Sequence, residues 1–439
     1  MERALYKELI NWKNNSKRKP LLLQGARQVG KTYLVNQLGN AEYSNYIHLN
    51  FEQNPDLASL FRGELDPRKI VDNIGLYLGQ KVRADDTLIF FDEIQVVPEV
   101  LTSLKYFNEQ ADEYHIIAAG SLLGVSVGKR SSFPVGNVNF LTLYPMSFVE
   151  YLSAIGEELL LEHLMTLIKA EALPDVIHEK LLQYLKMYLF LGGMPEVLQD
   201  HINNSDIESV RKIQYDILEA YQRDFSKYTD RNQAIKTSEL WNSIPRQLAR
   251  ENKKFKYSEV RKNARAITFE QTTEWLKKAG LIHMAYNLSN PKIPLKGYAD
   301  QSKFKIYMHD TGLLAAMLNI TSDLIIDPTR IFSEYNGAFI ENYVAQELIS
   351  YGNKDLFYWT SRSDAEVDFL LQYKNQVIPV EVKSGTSRNI KSLRSYENKY
   401  NPEVLFRISP RNLMQSGNFI NFPLYACFLT RAFLKDNQH

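Results

Sequence analysis

Short apolar runs, each ending in small or acidic residues, mark the first third of the chain. They are Leu21–Leu23, Leu88–Phe91 and the stretch from His115 to Ala119. A strand that is apolar on both faces is typical of the centre of a parallel sheet, where helices cover both sides. The pattern therefore predicts an α/β fold for residues 1–150, built around a parallel sheet.

Beyond residue 150 the spacing of apolar positions becomes helical and then mixed. Residues from Glu150 to about Tyr228 are leucine-rich and interrupted by Gly192, Gly193 and Pro195, which indicate either a hinge or a plain connection between helices. Three short helical segments follow from residue 237, and then two strand-like segments, MAYNLS and KFKIYMHD. Three helices and a β-ribbon predict a winged helix-turn-helix.

The first apolar strand leads directly into the phosphate-loop pattern G-x-x-x-x-G-K-[ST]. Its glycines let the backbone wrap around phosphates, and the helix that follows adds the positive end of its dipole. We expect Lys31 to pair with the β/γ-phosphates and the Thr32 hydroxyl to ligate Mg²⁺. The sequence therefore predicts an ATP site formed by Gly25, Ala26, Arg27, Gln28, Val29, Gly30, Lys31, Thr32 and Tyr33.

Acidic and small polar residues follow the next two apolar strands. Asp92 is predicted to hold the Mg²⁺ shell and Glu93 to polarise the attacking water, although an acidic turn after a strand is the simpler alternative. Ser121 is expected to contact the γ-phosphate, or else only to cap its strand. Lys129 and Arg130 are candidates for a cation supplied to a neighbouring subunit, or are solvated loop residues.

Basic residues are concentrated in the predicted winged helix. Only Glu251 and Glu259 oppose them between residues 246 and 265. Such a cluster can bind nucleic-acid phosphates, whereas winged helices also contact proteins and surface cations are often merely solvated. The basic residues are Arg246, Arg250, Lys253, Lys254, Lys256, Arg261, Lys262 and Arg265.

Four polar residues of the C-terminal part form a second candidate site. Glu341 lies in the helical segment GAFIENYVAQEL, Asp368 in the strand EVDFLLQY, and Glu381 and Lys383 in the strand VIPVEVKSG. Residues two apart on a strand share a face, so Glu381 and Lys383 should point together beside Asp368 on the neighbouring strand of a hairpin. We predict that Asp368 and Glu381 bind a divalent cation, with Glu341 as helix acid and Lys383 assisting the attacking water. A surface strand with alternating charges is the alternative.

Length, net charge and cysteine count limit the classes of protein to which this chain can belong. The 439 residues suit about two to four domains, and a net charge of +1 excludes binding through an overall basic field. The single cysteine, Cys427, excludes intrachain disulfides and is consistent with a cytoplasmic location. We find no apolar run of the ~18 residues that span a membrane, and the charged N-terminus is unlike a signal peptide.

The chain resembles a family of bacterial and archaeal AAA-type ATPases whose C-terminal half is a domain of unknown function. The resemblance rests on the phosphate loop and on FFDEIQ, AAGSLLG, LYPMSFVEYL, YLFLGGMPEVL, RDFSKY and VEVKSG. It implies an ATPase core over residues 1–150, a helical lid over 151–234, a winged helix over 235–325 and a restriction-endonuclease-like domain over 326–439. Val135–Gly136 stands where some relatives have Gly-Arg.

Two hypotheses for function follow. The first is an ATPase that is coupled to a nucleic-acid-directed, nuclease-like C-terminal domain. The second is a nucleotide-controlled switch that binds protein or nucleic acid without cleavage. Both use ATP and Mg²⁺ and predict a homo-oligomer, because related sites often take a cation from another subunit. A small-molecule kinase is disfavoured, since the C-terminal part offers no evident acceptor pocket.

Overall fold

The computed structural model describes residues 1–120, 134, 136–166, 171–250, 254–321, 336–361 and 365–436 of the 439-residue chain. The backbone divides into two compact units. The first contains Met1–Tyr144 with Lys278–Gly280, and the second contains Pro145–Lys277 with Leu281–His439. Within the described ranges, no helix is both long enough and apolar enough to cross a membrane.

A five-stranded parallel sheet forms the centre of the first unit. Its strand order is β2-β3-β4-β1-β5, and every neighbouring pair is parallel. Strands β3 and β4 are buried along their whole length, as their continuous apolar runs require. The predicted parallel α/β sheet is confirmed. The strands are β1 Leu21–Gln24, β2 Asn45–Asn50, β3 Thr87–Asp92, β4 His115–Ala119 and β5 Asn139–Thr142.

Within the described residues, the helices beside this sheet are α1 Leu5–Asn14, α2 Lys31–Glu42, α3 Pro67–Leu78 and α4 Pro98–Gln110. The Asp66 carboxylate caps the first turn of α3, and Gly79, with φ +67°, ends it. The core beside them is rich in aromatic rings; the Phe61 ring lies 5.5 Å from Phe51 and 5.4 Å from Phe91, both close to edge-on.

The sheet order decides which motif residues meet. The carboxyl ends of parallel strands lie at one edge of a sheet, and this edge is where α/β folds bind ligands. Strand β4 separates β1, which leads into the phosphate loop, from β3, which ends in Asp92. The two motifs are therefore placed at the same edge by strands that are not neighbours.

Helices make up most of the second unit up to residue 278. Pro195 begins one of them and Asp206 and Asp230 cap two others with their side chains. The further helices of the described ranges are α5 Phe148–Ala154, α6 Glu158–Thr166, α7 Asp175–Leu191, α8 Pro195–Asn204, α9 Ile207–Tyr228, α10 Arg231–Leu248, α11 Ala266–Lys278, α12 Thr311–Met317, α13 Asn336–Ser350, α14 Lys391–Tyr400 and α15 Leu429–Asp436.

A mixed sheet of eight strands completes the second unit. Its order is β12-β13-β11-β10-β9-β8-β6-β7, with parallel pairs at β13-β11, β11-β10 and β8-β6. The remaining pairs are antiparallel. The strands are β6 Ile282–Leu288, β7 Asp300–Met308, β8 Leu356–Thr360, β9 Glu366–Tyr373, β10 Gln376–Val382, β11 Leu405–Ser409, β12 Met414–Ser416 and β13 Phe419–Pro423.

The predicted winged helix is not confirmed. Its β-ribbon is the hairpin β6-β7, which joins the C-terminal sheet because β6 also pairs with β8. Strand β6 is buried almost throughout, and the N–H and C=O groups of a buried strand need hydrogen-bond partners on both of its edges. The middle helix is reduced to a short 3₁₀ turn at Tyr257–Glu259, and Asn263, with φ +66°, keeps the chain out of a helix. The boundary predicted at residues 325 and 326 lies outside the described ranges.

The Gly192–Gly193 turn is a packed junction. Gly192 has φ +74°, and a Cβ there would lie 2.2 Å from Oδ1 of Asp310. A Cβ on Gly193 would lie 2.0 Å from the carbonyl oxygen of Met146. The Gly193 N–H donates to Oδ2 of Asp310, at 2.6 Å. Glycine is therefore required at both positions by close approach of the backbone.

Helix α13 is buried and carries polar side chains that bind the backbone of other segments. Asn342 accepts from the Met308 N–H at 2.7 Å and donates to the Met308 carbonyl at 3.1 Å. Glu347 accepts from the N–H of Phe148, at 3.0 Å. Burial raises the pKa of Glu347 to about 8, and the Phe148 N–H only partly opposes this shift. The Glu347 carboxyl is therefore protonated near neutral pH.

Replacing Glu347 with Gln should remove a pH dependence of stability. The folded pKa of about 8 lies above the ordinary value of 4.5, so the stability contributed by Glu347 is complete below pH 4.5 and is lost as pH rises towards 8. Between pH 5 and pH 8, urea unfolding should show that wild type loses about 3.5 kcal/mol of unfolding free energy relative to Glu347→Gln, at roughly 1.4 kcal/mol per pKa unit. The exposed Glu162→Gln is the control. Equal pH slopes for wild type and Glu347→Gln would contradict the shift.

Candidate functional site

The phosphate loop adopts a backbone shape that glycine permits. Gly25, Gln28 and Gly30 have φ values of +151°, +67° and +93°. A Cβ on Gly25 would lie 2.3 Å from the carbonyl oxygen of Leu143. Gln28 holds a left-handed conformation that costs a side-chain-bearing residue about 1–3 kcal/mol, so the loop shape is imposed by its surroundings. Gly30 precedes the first turn of α2, whose free N–H groups suit an anion.

The other predicted loop residues divide into buried and exposed ones. The side chains of Ala26 and Val29 are buried, which leaves only their backbone for a ligand. Arg27 is half-buried, and Tyr33 on α2 is 59% exposed. Ser121, Lys129 and Arg130 lie outside the described residues.

Lys31 lies across the loop that it is expected to serve. Its Nζ donates to the carbonyls of Gly25, at 3.0 Å, and Ala26, at 2.7 Å. Burial lowers the pKa of Lys31 to about 8, against the opposing effect of the Glu93 and Asp92 carboxylates. The ammonium is thus held by neutral carbonyls, and an anion brought to the loop would stabilise its charged form.

Asp92, at the carboxyl end of β3, joins three elements. Its Oδ2 accepts from the Thr32 hydroxyl at the start of α2, at 3.0 Å, and lies 3.1 Å from Nε2 of His48 on β2. The His48 ring stacks on Phe90 at a centroid distance of 4.8 Å, which fixes its plane. Asp92 is almost wholly buried. Its carboxylate is therefore oriented towards the phosphate loop.

Glu93 follows Asp92 in a strained backbone conformation. Its φ is +56°, and its N–H donates to Oδ1 of Asp92, at 3.0 Å. The side-chain amide of Gln95 donates to Oε2 of Glu93. The strain and the Gln95 contact together fix the direction of the Glu93 carboxylate at the edge of the sheet.

Arg3, which precedes α1, holds the phosphate loop from the N-terminal segment. Its guanidinium is nearly buried and donates to the carbonyls of Val29, at 2.8 Å, and Tyr144, at 2.6 Å. Hydrogen bonds from a charged donor are stronger than those between neutral groups. Arg3 therefore ties the loop to the segment after β5.

In the second unit, the predicted hairpin brings Asp368 and Glu381 onto neighbouring antiparallel strands, β9 and β10. Oδ2 of Asp368 accepts from the Val382 N–H at 2.7 Å, and Oε1 of Glu381 lies 3.0 Å from Nζ of Lys383. Burial raises the pKa of Glu381, although Lys383 opposes the shift. Oε2 of Glu381 is buried and has no hydrogen-bond partner among the described residues.

The predicted helix acid, Glu341, is held by a lysine and a tyrosine. It is buried on α13, where Oε1 accepts from Nζ of Lys305, at 2.8 Å, and from the Tyr307 hydroxyl. In the part of the chain that the structure describes, no three His, Cys, Asp or Glu side chains are grouped to hold a metal ion. The unpartnered oxygen of Glu381 is the observation that still fits a cation beside Asp368.

The predicted basic cluster is partly neutralised by acids and backbone. Arg250 lies 2.7 Å from Glu259, and Arg261 lies 3.7 Å from Glu239. Arg246 donates to the Glu259 carbonyl. Arg246, Arg250 and Arg261 are therefore engaged by groups of the protein itself. Lys253 lies outside the described residues.

Comparison with protein families shows which kind of domain the first unit is similar to. Residues 17–152 match the model of a family described as "AAA domain". This match spans the phosphate loop, Asp92 and Glu93. The first unit is therefore similar to AAA domains. Residues 182–324 and 336–426 match two families described as domains of unknown function, DUF8612 and DUF4143, which name no activity for the second unit.

Relatives and solved structures are similar over parts of the chain. An uncharacterized protein, MJ1637 of Methanocaldococcus jannaschii, is 27% identical over 217 residues, which are 47% of this chain and 43% of that relative. The Walker-type ATPase PABY2304 of Pyrococcus abyssi has a TM-score of 0.44 and 15% identity, covering 71% of this chain and 94% of its own. AMPPCP-bound DnaA from Aquifex aeolicus has a TM-score of 0.26 and 15% identity, covering 62% and 86%. The matched part of this chain thus spans less than half of MJ1637.

Arg3→Met should weaken the binding of a fluorescent ATP analogue to the first unit about tenfold. The substitution removes two hydrogen bonds from a charged donor, each worth roughly 1.5–3 kcal/mol. Part of that free energy holds the loop in its binding conformation, and about 1.4 kcal/mol corresponds to a tenfold change in affinity. Titration of the full chain with a fluorescent ATP analogue measures the change. Arg18→Met is the matched control, because Arg18 donates to the carbonyl of Glu113, at 3.2 Å. An equal loss of affinity in both variants would show that Arg3 has no special role.

Proposed function

We propose that the first unit binds ATP with Mg²⁺ and hydrolyses it. The observation that carries this proposal is the 3.0 Å contact between Thr32 and Asp92. These residues are 60 positions apart in sequence and belong to two motifs that bind the same ligand in phosphate-loop ATPases. The match of residues 17–152 to the AAA domain supports the same function.

The loop and Lys31 are assigned to the phosphates. The backbone from Gly25 to Thr32 and the first turn of α2 offer N–H groups to the β- and γ-phosphates. Lys31 is already within 3.0 Å of the loop carbonyls and needs only to change partner to reach a phosphate. Loss of its charge would remove the ammonium that lies on the loop carbonyls.

The Thr32 hydroxyl and the Asp92 carboxylate fit Mg²⁺, because both are oxygen donors and lie within contact of each other. When bound, Mg²⁺ neutralises charge on the phosphates. His48 holds Asp92 in place for that role. Glu93 is assigned as the group that polarises the attacking water, and Gln95 orients its carboxylate.

Two substitutions separate binding from hydrolysis. Lys31→Ala should abolish ATP binding, while Glu93→Gln should bind ATP and lower phosphate release by at least about a hundredfold, the scale of general-base catalysis. Filter binding of labelled ATP and a phosphate-release assay on the full chain measure the two steps. Glu99→Gln, an exposed acid on α4, is the control. Normal hydrolysis by Glu93→Gln would contradict its assignment.

A second candidate function is Mg²⁺-dependent cleavage of nucleic acid by the second unit. It is supported by the adjacent placement of Asp368 and Glu381, the Glu381–Lys383 contact and the unpartnered oxygen of Glu381. Asp368 and Glu381 would hold the cation, which supplies charge neutralisation at a phosphodiester, and Lys383 would assist the attacking water. In this proposal the nucleotide state of the ATPase controls the second unit.

The alternative is a switch that binds partners without cutting them. The salt bridges within the acidic and basic clusters favour it, since they resemble a structural network as much as an open site. Lys256, Lys262 and Arg265 remain exposed and are assigned to a nucleic-acid or protein partner. A homo-oligomer that supplies a cation to the γ-phosphate is proposed for either function.

Asp368→Asn tests the choice between cleavage and binding. If the second unit cleaves, this variant should lose Mg²⁺- or Mn²⁺-dependent nicking of plasmid DNA or digestion of RNA, with ATP hydrolysis unchanged. Asp355→Asn is the matched control, because Asp355 pairs with Lys296 away from Glu381. No cleavage of DNA, RNA or structured substrates by wild type with ATP would remove this candidate and favour the switch.

A further inference from the structure

Lys305 is a buried cation in the segment KFKIYMHD, and no motif predicted a chemical role for it. Its side chain is 1% exposed on β7. Nζ lies 2.8 Å from Oε1 of Glu341 on α13, 2.5 Å from Oε1 of Glu366 and 4.0 Å from Oδ1 of Asp368 on β9. The Lys305 ammonium therefore lies among three carboxylates that come from two other elements.

The contacts of this cluster fix the ammonium in place. The Tyr307 hydroxyl donates to the same Glu341 oxygen, and the Tyr358 ring centroid is 5.0 Å from Nζ. Carboxylate oxygens at 2.8 Å and 2.5 Å from Nζ pair with Lys305 as an ammonium.

As they stand around Lys305, the three carboxylates are not grouped to hold a metal ion, although carboxylate oxygens are the ligands that divalent ions prefer. Here the cation belongs to the chain. The Lys305 ammonium neutralises one of the three negative charges, so two remain. Solvent reaches these carboxylates at Glu366, whose side chain is 41% exposed. Breaking such a buried pair is strongly unfavourable, which makes the arrangement resistant to exchange with a metal.

We propose that Lys305 is a built-in cation that takes the place of a metal ion between Glu341, Glu366 and Asp368. Glu341 and Glu366 are then not metal ligands. The acidic site of the second unit accepts at most one divalent cation, at the Asp368–Glu381 pair. Only this last point rests on the proposed cleavage function; the role of Lys305 does not depend on it.

Asp368 shows how the built-in cation shapes that pair. Its Oδ2 accepts from the Val382 N–H at 2.7 Å, and its Oδ1 faces Lys305 at 4.0 Å. The carboxylate is oriented from both sides, whereas Oε2 of Glu381 has no partner within the described residues. Lys305 is thus a positioning residue for Asp368, and its ammonium supplies charge that a second metal would otherwise supply.

Counting bound Mn²⁺ by electron paramagnetic resonance tests this proposal. The parent is the full chain with Asp92→Asn, which removes the candidate metal ligand of the first unit. Lys305→Ala in this parent should bind one more Mn²⁺ than the parent, since it removes the ammonium and leaves room among the carboxylates. Lys305→Met should bind none extra, because its thioether fills that room without charge. Adding Glu366→Gln to Lys305→Ala should weaken the new site at least tenfold.

Thermal unfolding provides a second readout. Mn²⁺ should raise the unfolding midpoint of Lys305→Ala and restore its fold if it is unfolded without metal, with no such rescue of Lys305→Met. No extra Mn²⁺ in folded Lys305→Ala, or a chain that stays unfolded at every Mn²⁺ concentration, would overturn the proposal. If the parent binds no Mn²⁺ but Lys305→Ala gains one, Lys305 keeps its role and the cleavage candidate fails. If the parent binds one Mn²⁺ through Asp368 and Lys305→Ala gains none, the role of Lys305 fails and the cleavage candidate stands.

Discussion

A buried charge or polar group is stable only when another group satisfies it, and this constraint organises both units. In the first unit, the Arg3 guanidinium is held by two backbone carbonyls and in turn fixes the phosphate loop. In the second unit, Lys305 is held by carboxylates, and α13 turns polar side chains inward to bind the backbone of distant segments. The functional residues are thus placed by contacts that also hold the fold together.

The two candidate sites differ in which of their polar groups these contacts leave available to a ligand. In the first unit, Lys31 contacts neutral carbonyls and Thr32 contacts Asp92, so the proposed phosphate and Mg²⁺ would each take over a contact that already exists. In the acidic site, Glu341 is paired with Lys305, and Glu381 with Lys383 at one of its oxygens. The other oxygen of Glu381 is the atom that stays without a partner within the described residues.

The sequence predicted the features that depend on local order along the chain. The phosphate loop, the strand before Asp92 and the hairpin of Asp368 and Glu381 follow from motif spacing and strand periodicity. It did not predict His48 or Lys305, because their roles depend on which strands become neighbours. The predicted winged helix is not confirmed for the same reason: the pairing of β6 with β8 unites segments about 70 residues apart, and no local pattern encodes it.

The most direct test of the central claim is a crystal structure of the full chain with a non-hydrolysable ATP analogue and Mg²⁺. The β- and γ-phosphates should bind the backbone N–H groups between Gly25 and Thr32. Nζ of Lys31 should leave the carbonyls of Gly25 and Ala26 for a phosphate oxygen, and Mg²⁺ should lie between the Thr32 hydroxyl and Asp92. A nucleotide bound elsewhere, or a loop that keeps Lys31 on its own carbonyls with the analogue present, would contradict the account.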